Sequence, residues 1–174
     1  MGGKFPVRKL AVAAVTAAMY TALSYVAYTL NLAFAPVQFR LSEALTLLPF
    51  LFPETAWGLF VGCILTNLLS QYGAVDIVFG SLATLIAGLW TARCRNKWTA
   101  AVPPVVCNGL IVSAVIAYAQ SGFGPAFISA WGVNILTVTG AEAVLCFVLG
   151  VILVTALEKS GVAKRLGARA PEAV

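Results

Sequence analysis

The chain has 174 residues, of which 61% are apolar and 10% charged, with a formal net charge of +5 and no histidine. A soluble domain carries about 25% charged residues, so this composition excludes an ordinary soluble enzyme and fits a membrane protein with little mass outside the bilayer. The lack of histidine also removes the commonest general base and metal ligand.

Lys4, Arg8 and Lys9 open the chain. Residues 10–32 then form an apolar run long enough for a span of about 20 residues. Ala33-Phe34-Ala35 loosely matches a signal cleavage site. The apolar run is too long for a signal core of about 7–15 residues, and Pro36 would follow the cut, so helix one is expected to stay. Residues 31–38 form a loop. Residues 41–52 make a second helix too short for a perpendicular span, closed by Pro53-Glu54. Residues 55–71 are the third, 76–92 the fourth and 98–119 the fifth. The turn residues of 120–125 precede a long sixth helix, 127–157, and 158–174 form a tail. The expectation is all-α: one compact, polytopic membrane domain of six helices, with no internal repeat.

The basic residues set the topology. Ten of the eleven Lys and Arg lie in three segments: Lys4–Lys9, Arg93–Lys97 and Lys159–Arg169; Arg40 is the exception. Loops rich in Lys and Arg stay in the cytoplasm. Six crossings put both termini, Pro53-Glu54 and the Arg93–Lys97 loop inside, and loops 31–40, 71–76 and 120–125 outside. The positive charge then anchors the protein beside anionic lipid and is no nucleic-acid signal. Cys63, Cys94, Cys107 and Cys146 have no metal-ligand spacing and read as reduced thiols, so neither a metal nor another cofactor is expected.

Polar residues at membrane depth are costly; a mid-helix carboxylate costs about 2.5–3.5 kcal/mol on insertion scales. Glu142 lies halfway along helix six, on one stripe with Trp131, Asn134 and Val138. Asn67 lies in the outer half of helix three and Asn108 near the middle of helix five. Gln38, Arg40 and Glu43 cluster at the entry to helix two, and Asp76 begins helix four. An outward-open polar cavity accounts for them together. Each also has a plainer account: an interhelical hydrogen bond for Glu142, packing for the asparagines, an i,i+3 pair for Arg40 and Glu43, and a helix N-terminal acid for Asp76. In helix one, Ala14, Ala18 and Ala22 recur every four residues, with Ala13 and Ala17 as a parallel row. Such rows admit close helix contact, inside the bundle or with an external partner.

Three stretches resemble the family of queuosine-precursor transporters: Val37-Gln38-Phe39-Arg40-Leu41-Ser42-Glu43-Ala44-Leu45-Thr46-Leu47-Leu48-Pro49-Phe50, Gly58-Leu59-Phe60-Val61-Gly62-Cys63-Ile64-Leu65-Thr66-Asn67 and Asp76-Ile77-Val78-Phe79-Gly80-Ser81-Leu82-Ala83-Thr84-Leu85. The resemblance implies a substrate-binding S-component of an energy-coupling factor transporter, with no enzymatic step of its own. Its partners would be a membrane scaffold subunit and two ATPase subunits. Ala14-x-x-x-Ala18 fits the implied scaffold contact, as does Ala13 with Ala17. The implied solute is a 7-deazaguanine precursor of queuosine. Glu142 would read the guanine-like edge, Asn134 or Asn108 the carbonyl, Trp131 or Phe127 the ring face, and Glu43 or Asp76 an aminomethyl cation. The alternatives are an S-component for another vitamin or heterocycle, and a proton-coupled secondary carrier using Glu142.

Overall fold

In lipid every backbone polar group must be satisfied within the protein, and the apolar runs meet that demand as helices. The computed structural model describes residues 7–30 and 40–169, and no strand occurs among them. The elements are α1 (Val7–Thr29), α2 (Leu41–Phe50), α3 (Thr55–Asn67), α4 (Gly73–Thr91), α5 (Lys97–Ser121), α6 (Phe127–Lys159) and a short α7 (Val162–Arg165). α1, α4, α5 and α6 are long and apolar enough to cross a membrane, whereas α2 and α3 are shorter. The chain is thus a polytopic helical membrane protein.

α2 departs from ordinary helix geometry. All ten of its residues are wound as a 3-10 helix, with Pro49 inside. At about 2.0 Å per residue it reaches roughly 20 Å, short of the roughly 30 Å hydrocarbon core. Its composition suits a buried position: eight of the ten residues are buried, and α1, α3, α4 and α6 pack around it. A 3-10 helix has three residues per turn, so side chains at i and i+3 eclipse. Arg40, Glu43 and Thr46 therefore stand in one column.

α1 and α3 approach closely along their small residues. A Cβ on Gly58 would lie 2.2 Å from the Ala13 carbonyl oxygen, and one on Gly62 would lie 2.9 Å from that of Ala17. The row Ala13 and Ala17 therefore packs inside the bundle, which corrects its assignment to an external partner. Ala14, Ala18 and Ala22 are exposed, about 100° further round the same helix.

Three π turns interrupt the long helices, at Asp76–Gly80 in α4, Asn108–Val112 in α5 and Leu145–Gly150 in α6. The basic segments gather at one end. There the Arg169 backbone N–H donates to the Leu51 carbonyl at 2.8 Å, and Arg169 Nη1 to that of Ala92 at 3.0 Å. Lys97 Nζ pairs with Glu158 Oε2 at 3.5 Å, and the Arg8 guanidinium lies against Gly167.

Candidate binding site

A narrow cleft lies among α2, α3, α4, α5 and α6. Its walls are Arg40, Glu43, Cys63, Gly80, Thr84, Asn108, Val112, Val138 and Glu142. About 20 Å³ of it is open to a water-sized sphere, enough for about one water molecule. A larger solute enters only if side chains give way.

Two buried carboxyl groups define its chemistry. Asn108 Nδ2 donates to Glu142 Oε1 at 2.8 Å and faces Glu43 Oε2 at 3.5 Å. The Asn108 NH2 thus points between the two carboxyl groups, which turns its carbonyl oxygen away from them. Its Oδ1 is left buried with no partner among the described residues, and Asn108 is only 6% exposed. On its other oxygen Glu43 accepts from the Tyr20 hydroxyl at 2.5 Å, which ties the acid to α1. The Cys146 thiol lies 3.7 Å from Glu142 Oε1 and 3.6 Å from Thr46 Oγ1.

Arg40 supplies the positive charge. Its Nη2 donates to the Tyr28 hydroxyl at 3.0 Å and to Asn67 Oδ1 at 3.3 Å, and the guanidinium sits 5.9 Å from the centre of the Tyr28 ring. Its Nε has no partner among the described residues. Arg40 and Glu43 share the column of α2, but no ion pair within 4.0 Å joins them among the described residues.

Asn67 and Asp76 stand behind this wall. Asn67 Nδ2 donates to the Asp76 backbone carbonyl at 3.0 Å, and Ser70 Oγ donates to Asp76 Oδ2 at 2.5 Å. Gly80 makes room for them. A Cβ there would lie 2.5 Å from Asp76 Oδ1 and 2.9 Å from Asn67 Nδ2. The Asp76 carboxylate thus holds Ser70, while its backbone carbonyl positions Asn67 and through Asn67 supports Arg40.

The structure gathers Glu142, Asn108, Glu43 and Arg40 at the cleft, with Asn67 and Asp76 behind. It puts Trp131 and Asn134 elsewhere. Both share the stripe of Glu142, but Trp131 is eleven residues away, roughly 16 Å along the axis. Its Nε1 donates to the Leu110 carbonyl at 3.1 Å, and its ring lines an apolar cavity with Phe79, Tyr118, Phe123 and Phe127. Asn134 Nδ2 donates to Gln120 Oε1 at 2.9 Å on the exposed surface. Gln38 lies outside the described residues. Sequence reasoning missed Tyr20, Cys63, Thr84 and Cys146. Cys63 and Thr84 do lie in the stretches that carry the family resemblance, while Tyr20 had no signal beyond a hydroxyl on an apolar helix.

The family of QueT transporters matches residues 10–159. This chain belongs to the QueT transporter family. It is also similar to the queuosine precursor transporter QueT of Lactococcus lactis subsp. cremoris (strain MG1363), with 33% identity over 73 residues. That alignment takes in 42% of this chain and 43% of the relative, so the match spans less than half of either protein. No solved structure matches the chain.

Proposed function

We propose that this chain is the solute-binding membrane subunit of an energy-coupling factor transporter, and that it takes a cationic 7-deazaguanine precursor of queuosine from outside the cell. The observation that carries the reading is the pair Glu43 and Glu142, bridged by Asn108 and faced by a single guanidinium. Two carboxyl groups against one cation leave an acceptor-rich cleft. Buried charge without a partner is costly, and a cationic ligand with several N–H groups supplies what is missing.

In this reading Glu142 accepts two adjacent N–H groups of the base edge as a charge-assisted pair. The unpaired Asn108 Oδ1 takes a further N–H, and Arg40 Nε donates to the ring carbonyl, since the Asn108 NH2 is already held by the carboxylates. Glu43 meets the aminomethyl cation. Val112 and Val138, on the cleft wall, cover the ring faces that Trp131 is too distant to reach. Six membrane crossings with the basic end in the cytoplasm put the cleft in the outer half. Ala14, Ala18 and Ala22 present the face for a membrane scaffold subunit, which couples to two ATPases.

The test is calorimetric binding by the purified subunit to a panel of 7-deazaguanines, with guanine and common vitamins alongside, joined to co-purification from the native membrane. Selective binding of an aminomethyl 7-deazaguanine and recovery of ATPase subunits support the reading. Uptake that persists without ATPases and collapses with the proton gradient would overturn it in favour of a secondary carrier.

A further inference from the structure

An apolar groove of about 370 Å³ runs between α1, α2 and α6, apart from the polar cleft. Ala11, Val15 and Met19 of α1 lie along one wall; Leu48 of α2 and Leu153 and Leu157 of α6 are among the residues facing them. Arg8 closes one end. Its guanidinium rests on Gly167 of the C-terminal turn and has no hydrogen-bond or ion-pair partner among the described residues. Lys9, Lys164 and Arg165, all exposed, belong to the segments that meet there. The groove is thus greasy along its length and cationic at its mouth.

Its length sets the scale of the occupant. From Arg8 to Met19 is eleven residues of α1, roughly 16 Å at 1.5 Å per residue. That is about half of the roughly 30 Å hydrocarbon core, the depth of one leaflet. We propose that the groove binds one anionic phospholipid from the leaflet at the basic end, its phosphate on Arg8 and one acyl chain along Val15 and Met19. A zwitterionic lipid fills the same groove but gains less from the unpaired guanidinium and its basic neighbours.

The test is native mass spectrometry of the detergent-purified full chain, titrated separately with phosphatidylglycerol and phosphatidylcholine of identical acyl chains. The first phosphatidylglycerol is expected to bind about fivefold more tightly, the size of one basic contact at a membrane surface. Arg8→Gln should bring the two lipids level, while Arg95→Gln, an exposed basic residue away from the groove, should leave the preference unchanged. Val15 is 58% exposed, so Val15→Trp adds bulk to the groove without opening the core. It should weaken first binding of both lipids about tenfold, and Met19→Trp serves as a second filler if that variant folds poorly. Equal effects of Arg8→Gln and Arg95→Gln would overturn the proposal in favour of diffuse attraction. Unchanged lipid binding in folded filler variants would overturn it too, and would leave the groove to a protein helix.

Discussion

Glu142→Gln preserves side-chain size and replaces the acid with an amide. Glu142 Oε1 is held by Asn108 Nδ2 at 2.8 Å, so the replacement amide keeps its oxygen on Asn108 and turns its NH2 into the cleft. A ligand N–H then meets a donor where it had met an acceptor. A hydrogen bond to a charged group is worth about 1.5–3 kcal/mol, so Kd should rise by about 10- to 150-fold. Stability should move differently. Two buried carboxyl groups oppose each other across Asn108, and a neutral isostere removes part of that desolvation cost and repulsion. The thermal midpoint of the ligand-free protein should therefore hold or rise while affinity falls. Isothermal titration calorimetry in detergent, with thermal melting of the same samples, reads both quantities. Unchanged affinity in a folded variant would refute the reasoning. A loss of affinity matched by a drop in melting temperature would reduce Glu142 to a packing residue.

Trp131→Ala should change solute affinity by less than about twofold, because its ring lies outside the cleft; a tenfold loss by calorimetry would move the site toward the aromatic cavity. Gly58→Ala puts a methyl 2.2 Å from the Ala13 carbonyl oxygen, and overpacking of this kind costs about 1–3 kcal/mol, to be seen as a lower melting temperature. Ala14→Trp or Ala18→Trp, on the exposed face of α1, should leave binding by the isolated subunit intact and abolish cellular uptake. Ala17→Trp, facing Gly62, should impair folding and with it both activities.

The apolar runs were legible because membrane insertion imposes length and polarity on each element; α2, α5 and α6 start within a residue of the reading, while α1 and α4 each start three residues earlier and α3 ends four residues sooner. The convergence of Glu43, Asn108 and Glu142 was partly legible too, since each is an expensive residue at membrane depth that needs a polar neighbour. What escaped was register. A 3.6-residue periodicity assumes bonds from i to i+4, and it fails in the 3-10 winding of α2 and at the π turns of α4, α5 and α6. It also gives angle around a helix but not distance along it, which is why Trp131 was grouped with Glu142. The two alanine rows of α1 could not be told apart without Gly58 and Gly62 on the facing helix.

The departures from regular helix coincide with the cleft. Asn108 opens one π turn, Gly80 closes another, Cys146 lies in the third, and Arg40 and Glu43 stand on the 3-10 column. Irregular backbone survives at membrane depth only where protein or a cavity satisfies it, and here it aims polar side chains at one point. α1 joins the same network from outside. The Tyr20 hydroxyl bonds Glu43 at 2.5 Å and Ser24 Oγ bonds Ser42 Oγ at 2.8 Å, while Ala14, Ala18 and Ala22 look away from the bundle. A ligand that draws Glu43 into the cleft must therefore break the Tyr20 bond or move α1 with it. The acid proposed to face the solute and the face proposed for the scaffold thus lie on either side of one helix, which the buried hydroxyls of Tyr20 and Ser24 tie to α2.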